Sequence, residues 1–192
     1  MTTHDDFAAT APVADVLERL GVRYYIGGSV ASSMHGVGRS TMDVDIVAQL
    51  QSAHVDPFVA SLEKDYYVDA HMIRTAIQRR SSFNLIHFIT QHKIDVFVSK
   101  DRPFDRAGWS RLSSGVAFEG GDREFPLASA EDVILNKLEW YRLGDEMSER
   151  QWNDVLGVIR VQGDALDRDY LNRWATQLGV SDLLDRAMRE AE

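Results

Sequence analysis

Hydrophobic and polar residues follow two different patterns along the chain. Between about residues 20 and 99, short runs with alternating polarity are separated by stretches with helical spacing, which predicts alternating strands and helices. The predicted strands are Arg23 to Ile26, Met42 to Val47, Tyr66 to Val68, Phe83 to Ile89 and Lys93 to Ser99. The last two flank Thr90-Gln91-His92, which is typical of an antiparallel hairpin.

Helical spacing appears between these strands and dominates the C-terminal third. Pro12 at the start and Gly21 just past the end bound the first predicted helix. Ser129 and Asp132 resemble a capping box with Asp in place of Glu or Gln, followed by a helical run to about Leu143. The other predicted helices are Val30 to His35, Val55 to Lys64, Ile73 to Arg80, Ser148 to Val161, Asp167 to Gln177 and Ser181 to Ala191.

A weak β segment over Gly115 to Phe125, with Gly120-Gly121 as its turn, comes just before the C-terminal helices. We place a soft boundary near Pro126. The sequence thus predicts an α/β domain over residues 1–126 and a helical C-terminal region over residues 127–192 that packs on it. A chain of 192 residues is long enough for a substantial core.

Composition narrows the class of protein. The chain is 44% hydrophobic and 27% charged, as expected of a soluble globular protein, and its lack of cysteine excludes disulfides, zinc thiolate sites and cysteine nucleophiles. Met1 to Ala11 has no sustained apolar run, so we expect neither a signal peptide nor a membrane span, and a cytoplasmic location. Trp140, Trp152 and Trp174 lie in helical patterns and are expected in the core or between helices.

Net charge argues against broad binding of nucleic acid. Nonspecific binding depends on a basic protein surface that releases counterions from the nucleic acid, and a formal charge of −9 argues against such a surface. The charge does not exclude a nucleic-acid substrate that is held locally. Cationic residues of the first half form a candidate basic rim around the aspartates described next; solvated surface charges are the alternative. They are Arg39, Arg74, Arg79, Arg80 and Lys93.

Paired aspartates are the strongest chemical feature of the sequence. Asp43 and Asp45 alternate with apolar residues on a predicted strand, so both project from one face. Asp95 lies on another predicted strand, on the face opposite Ile94, and would join them if the two strands are neighbours. Carboxylates held together resist joint ionisation unless cations lie between them. Two divalent ions about 4 Å apart would balance such a cluster and serve phosphoryl or nucleotidyl transfer.

A glycine-rich turn precedes these aspartates. Gly27-Gly28-Ser29 leads from the first predicted strand into a short helix. Glycine lets the backbone approach a ligand, and a helix N-terminus offers N–H groups to an anion. The turn is therefore a candidate phosphate site, although it lacks the lysine of a P-loop.

Taken together, these motifs resemble a known superfamily. The segment Tyr24 to Val47, YYIGGSVASSMHGVGRSTMDVDIV, is similar to the polymerase-β-type nucleotidyltransferases: a Gly-Ser turn, a short helix and Asp-x-Asp on a strand. The run Lys137 to Arg142, followed by Asn153-Asp154-Val155, resembles the AbiEii-like branch, which includes toxins of type IV toxin–antitoxin pairs. The resemblance implies an α/β (α+β) fold with a mixed, partly antiparallel sheet flanked by helices.

Roles for individual residues follow from this resemblance. Asp43 and Asp45 would hold two Mg²⁺ ions, or Mn²⁺ in their place, and Asp95 would complete the catalytic metal and help deprotonate the acceptor hydroxyl. The remaining nucleotide-binding candidates are Gly28 and Ser29 on the β- and γ-phosphates, Lys137 on the triphosphate, and Arg39 on phosphate or acceptor. The branch often has Arg before the later aspartate. Asn153 stands there in this chain, so Asp154 is interpreted as a helix-surface or capping residue.

The implied reaction is Mg²⁺-dependent transfer of a nucleoside monophosphate from an NTP to an acceptor hydroxyl, releasing pyrophosphate. RNA, a protein hydroxyl and a small molecule all stay open as acceptors. An antitoxin protein is the partner that the branch implies. Two alternatives also stay open: a small antibiotic nucleotidyltransferase, which shows a similar Gly-Gly corner and Asp-x-Asp, and a non-catalytic binding module.

Overall fold

The computed structural model describes residues 4–38, 41, 43–118 and 122–192. The helices are α1 (His4–Arg19), α2 (Gly28–His35), α3 (Val55–Leu62), α4 (Ala70–Arg79), α5 (Pro103–Gly108), α6 (Ala130–Leu143), α7 (Glu149–Gln162), α8 (Arg168–Leu178) and α9 (Ser181–Ala191). The strands are β1 (Tyr24–Ile26), β2 (Asp43–Ala48), β3 (Tyr66–Tyr67), β4 (Ser82–His87), β5 (Lys93–Val98), β6 (Ser113–Gly115) and β7 (Phe125–Leu127). Short 3₁₀ turns precede α3 and follow α7.

The described strands form one mixed sheet in the order β3-β4-β5-β2-β1-β7-β6. β2 runs parallel to β5, and β1 runs parallel to β7. The other neighbouring pairs are antiparallel, including the predicted β4–β5 hairpin. The expectation of an α/β fold with a mixed, partly antiparallel sheet is therefore confirmed.

Helices cover both faces of this sheet. On one face the strands bury apolar side chains such as Val44, Ile46 and Val96 against α1, α3 and α4. The opposite face carries the alternate positions of the same strands, and beside it the helices α6 to α9 form a second apolar cluster that includes Ala31 of α2. Among the described residues, no helix is both long and apolar enough to cross a bilayer.

The predicted start of the first helix is wrong. α1 begins at His4, and Pro12 lies inside it. Buried positions at Asp6, Ala9, Thr10 and Val13 extend the helical spacing backward, and acidic residues in the first turn suit the positive end of the helix dipole. The packing of these buried residues stabilises the helix by more than the internal Pro12 destabilises it.

Other differences concern segments with weak periodicity. α5 was not predicted, and α4 begins at Ala70 because Asp69 caps it by accepting a hydrogen bond from the Met72 N–H. Of the described residues in the predicted β segment Gly115 to Phe125, only its two end residues lie in strands, at the end of β6 and the start of β7, and its predicted turn at Gly120-Gly121 lies outside the described residues. β7 includes Pro126 and pairs with β6 and β1 in the sheet. The division into residues 1–126 and 127–192 stays a prediction.

Two glycines let α2 pack closely against α7. A Cβ atom on Gly36, at the end of α2, would lie 2.8 Å from the backbone nitrogen of Val158. A Cβ atom on Gly157 would lie 3.4 Å from the backbone nitrogen of Val37. The Gln162 side chain also donates a 2.7 Å hydrogen bond to the His35 carbonyl. The C-terminal helices thus support the short helix that follows the glycine turn.

Candidate active site

Three aspartates meet on one face of the sheet. In the parallel β2–β5 pair, Asp45 lies directly opposite Asp95, and Asp43 lies opposite Lys93. Asn84 of β4 lies on the other side of Asp95. The expectation that the two strands are neighbours is confirmed, because side chains at paired register positions share a face.

Lys93 lies between two of these carboxylates. Its ammonium is 2.8 Å from an Asp95 oxygen and 3.6 Å from an Asp43 oxygen. The hydrogen bond to Asp95 raises the pKa of Lys93, which keeps the ammonium charged at neutral pH. Lys93 therefore supplies a positive charge to the cluster.

The surroundings of Asp45 disfavour its charged form. Burial and the neighbouring Asp95 raise the pKa of Asp45 from 3.8 to about 6, with Asp43 adding to the effect. The positive charges of Lys137 and Lys93 act in the opposite direction. Negative charge at Asp45 is thus only partly balanced by the chain, and perturbed acids of this kind are typical of functional sites.

The glycine turn lies in close contact with Asp45. Gly28 begins α2 with a φ of +53°, and a Cβ atom there would lie 1.7 Å from an Asp45 carboxylate oxygen. Gly27, at the cap position, offers no side chain to the first turn, and its N–H donates to the Asp45 carbonyl at 2.9 Å. Ser29 lies in that first turn, half-buried. The start of α2 and the carboxylate cluster therefore form one site, with backbone N–H groups suited to an anion.

Replacing Gly28 with Ala should lower the melting temperature and weaken NTP binding, because the added methyl group must displace the Asp45 carboxylate. Gly179→Ala is a matched control, since Gly179 has a left-handed backbone with a φ of +70° and a methyl group added there would have no neighbour within 4 Å. Both variants incur the left-handed backbone strain, of about 1 kcal/mol. Thermal unfolding with and without MgATP measures the difference. Equal behaviour of the two variants would show that the contact with Asp45 is unimportant.

Lys137 and Asp154 form a buried ion pair. The Lys137 ammonium lies 2.8 Å from an Asp154 oxygen, and the two side chains are 9% and 6% exposed. The interpretation of Asp154 as a surface or capping residue is wrong. Asp154 lies in the middle of α7 and faces α6. There the buried Lys137 ammonium donates a hydrogen bond to its carboxylate, so Asp154 has an ion-pair partner in the interior. Lys137 lies close enough to Asp45 to lower its pKa, and its contact with triphosphate stays a prediction.

The expected basic rim does not form around the aspartates from the arginines that the structure describes. Arg74 and Arg79 lie on α4, which packs on the opposite face of the sheet. Arg74 pairs with Asp56, and Arg80 donates to the Ser99 carbonyl. Sequence order cannot reveal which face a helix covers. Arg39, the predicted phosphate or acceptor contact, lies outside the described residues.

Trp140 differs from the other helical tryptophans. Trp152 and Trp174 are buried, as expected, but Trp140 is 47% exposed. Its ring packs against Phe97 of β5, with ring centroids 6.2 Å apart. The expectation of a core position is wrong for Trp140, because α6 directs its ring toward Phe97 of β5 and leaves about half of the residue in solvent.

Two solved structures are similar to the chain over most of its length. An antigenic nucleotidyltransferase-like protein from Paracoccidioides brasiliensis matches at 16% sequence identity and a TM-score of 0.56, over 98% of this chain and 94% of that one. The chain has the nucleotidyltransferase fold. The antibiotic-resistance factor ANT(2'')-Ia matches at 10% identity and a TM-score of 0.56, over 92% of this chain and 95% of that one.

These identities are low, so the similarity concerns the nucleotidyltransferase fold alone. No protein-family model and no curated protein sequence matches the chain. Membership of the AbiEii-like branch stays a prediction.

Divalent cations fit this nucleotidyltransferase-fold site by donor type and charge. Carboxylate oxygens are the ligands that Mg²⁺ prefers, and the raised pKa of Asp45 indicates negative charge that a cation would relieve. Within the described ranges, no three His, Cys, Asp or Glu side chains are already arranged as a metal site. The Lys93 ammonium instead contacts Asp95 and Asp43. A bound ion would have to take over these contacts.

Sequence reasoning missed Asn84 and placed Trp140 in the core. Lys93, a member of the expected basic rim, does lie beside the aspartates, because it is two positions before Asp95 on the same strand. Placing Asn84 beside Asp95 would have required the residue register of the β4–β5 hairpin, which the sequence does not give. Trp140 had no signal in the sequence, because its exposure depends on how α6 packs.

Proposed function

We propose that the chain is a Mg²⁺-dependent nucleotidyltransferase that moves a nucleoside monophosphate from an NTP to an acceptor hydroxyl. The placement of Asp45 directly opposite Asp95, with the start of α2 against Asp45, supports this proposal most strongly. Two carboxylates and a helix N-terminus within one site suit a ligand that combines divalent cations with phosphate groups.

Each residue has a defined part in the proposed reaction. Asp43, Asp45 and Asp95 would hold Mg²⁺, or Mn²⁺ in its place, and the ions would neutralise charge on the triphosphate and on the leaving pyrophosphate. Asp95 accepts the proton of the acceptor hydroxyl. The hydroxyl oxygen forms a bond to the α-phosphorus as the bond to the bridging oxygen of pyrophosphate breaks.

Phosphate binding involves the other predicted residues. The backbone at Gly28 and the Ser29 hydroxyl contact the β- and γ-phosphates, and Lys137 offsets triphosphate charge as a point-charge donor. Asp154 holds Lys137 in place beside Asp45 through their buried ion pair. Arg39 is a further candidate for phosphate or acceptor.

For the acceptor, a small hydroxylated molecule is favoured over RNA. Three arginines of the expected basic rim, which an RNA acceptor would need, lie on or just after α4, away from the carboxylate face: Arg74, Arg79 and Arg80. An acidic chain with a formal charge of −9 also provides little attraction for a phosphate backbone. A toxin activity on RNA or protein, with an antitoxin partner, stays the alternative that the sequence resemblance implies.

A label-transfer assay tests the proposal. Purified protein with Mg²⁺ and each α-labelled NTP should transfer label to a component of a metabolite, RNA or protein fraction. Asp95→Asn should reduce the rate by about 10²- to 10⁴-fold, because it removes the general base. Asp185→Asn, an exposed position on α9, is the matched control and should leave the rate unchanged.

Each fraction decides a separate question. Label in a small compound alone supports the small acceptor, whereas label in RNA or protein supports the toxin-like alternative. A wild-type rate in Asp95→Asn would contradict the carboxylate site. Failure to bind any NTP, with no transfer to any fraction, would favour a non-catalytic binding module.

A further inference from the structure

An exposed aromatic ring lies beside the carboxylate cluster. Trp140 is 47% exposed, although its ring packs against Phe97. Phe97 is two positions after Asp95 on β5, so both side chains project from the same face of the sheet. The exposed part of Trp140 is therefore available to a ligand at the edge of the proposed reaction site.

The ring lies within reach of a nucleotide held by the aspartates. Two strand residues span about 6.6 Å, and the rings of Phe97 and Trp140 lie edge to face, which puts Trp140 on the order of 10 Å from Asp95. That separation matches the reach from the α-phosphate to the base within one nucleotide. Lys137, one helical turn before Trp140 on α6, acts electrostatically on Asp45. α6 therefore extends from the carboxylates to the exposed ring.

A positive charge also borders the ring. The Lys100 ammonium lies 5.8 Å from the Trp140 ring centroid, and Lys100 itself is exposed. A flat ring with an exposed cation beside it suits a ligand that combines an aromatic ring with negative charge.

We propose that Trp140 is the stacking surface for the nucleobase of the donor NTP. This assignment rests on the proposed nucleotidyl transfer, because it requires the triphosphate to lie at Asp45 and Asp95. Every base has a π-face, so stacking on Trp140 favours nucleoside triphosphates over inorganic triphosphate while discriminating weakly among the bases.

Binding measurements on base-containing and base-free ligands test this assignment. Trp140→Leu should weaken binding of MgATP by about 5- to 30-fold, since base stacking on an aromatic ring contributes at that level. Its affinity for inorganic triphosphate with Mg²⁺ should stay unchanged. Trp140→Phe keeps a ring and should restore most of the ATP affinity. Leu143→Ala, an exposed apolar position on the same helix, is the control and should bind both ligands like the wild type.

Fluorescence gives an independent readout. Of the chain's 4 tryptophans, Trp109, Trp152 and Trp174 are buried, so acrylamide should quench mainly Trp140. MgATP should quench the emission of Trp140 and protect it from acrylamide, whereas inorganic triphosphate should do neither. The Trp140→Leu variant should lose this response.

The outcomes separate the two proposals. If the wild type binds neither MgATP nor inorganic triphosphate, the proposed function fails, and the assignment of Trp140 fails with it. If the wild type binds both ligands and Trp140→Leu binds ATP equally well, the stacking assignment alone is overturned. Equal weakening of both ligands in Trp140→Leu would also overturn it, because the effect would then lie at the phosphates.

Discussion

Asp45→Asn is expected to abolish nucleotidyl transfer and, in the absence of metal, to make the protein more stable. The loss of activity follows from removing a carboxylate ligand of the proposed Mg²⁺ site. The gain in stability follows from the raised pKa of Asp45, about 6 against 3.8, which means that the folded chain holds this charge at a cost. The cost is on the order of 1–3 kcal/mol at neutral pH.

The stability difference should depend on pH in a defined direction. Because folding raises the pKa of Asp45, the wild type loses stability as pH rises from about 3.8 to about 6, and the loss persists above that range. The variant has no such dependence at this position. Its advantage in free energy of unfolding should therefore be largest above pH 6 and vanish below pH 4.

Thermal unfolding in EDTA across this pH range measures the effect. Asp43→Asn is the matched control: the same substitution, on the same strand and face, at an exposed carboxylate. It should reduce transfer but leave metal-free stability nearly unchanged. In Asp45→Asn, MgATP should no longer raise the melting temperature, as it should in the wild type. A persisting MgATP response in this variant would argue against the carboxylate site.

The second large effect is expected at the buried ion pair. Asp154→Ala should lower the melting temperature by about 10 °C or more, because it leaves the Lys137 ammonium buried without this carboxylate. Removing one partner of a buried pair typically costs about 3–5 kcal/mol. Asp182→Ala breaks an exposed ion pair with Arg142 and should leave the melting temperature nearly unchanged.

A double variant separates stability from phosphate binding. Lys137→Met with Asp154→Leu replaces the pair by apolar side chains and should recover most of the lost stability. If Lys137 contacts the triphosphate, this stable double variant should still bind ATP much more weakly than the wild type does. If the double variant binds ATP as tightly as the wild type does, Lys137 and Asp154 have a structural role only. An unchanged melting temperature in Asp154→Ala would contradict the burial of the ion pair between Lys137 and Asp154.

Local pattern predicted much of the fold. Alternation of polarity identified β2, β4 and β5, and it placed Asp43, Asp45 and Asp95 on predictable faces of their strands. The helix boundaries at Ser129 and Ser181 were also correct, because capping and periodicity are local properties of the chain.

Features set by tertiary packing could not be predicted in this way. Pro12 is typical of a helix start, whereas burial of the preceding turns extends α1 to His4. Lys137 and Asp154 lie 17 residues apart on consecutive helices, and the local pattern of neither helix shows that the two side chains meet in the interior. The position of Arg79 on the far side of the sheet, and the exposure of Trp140, depend on which face each helix covers.

The close contact between α2 and α7 fixes two distant parts of the chain relative to each other. The sheet supplies the carboxylates, but α7 determines the position of α2, since the two backbones are in close contact at Gly36 and Gly157. A larger residue at either position would push the helices apart and shift Gly28 relative to Asp45. A chain cut at Pro126 would keep all three aspartates and lose the support beneath its glycine turn, so the geometry of the carboxylate site depends on the sheet and on the C-terminal helices together.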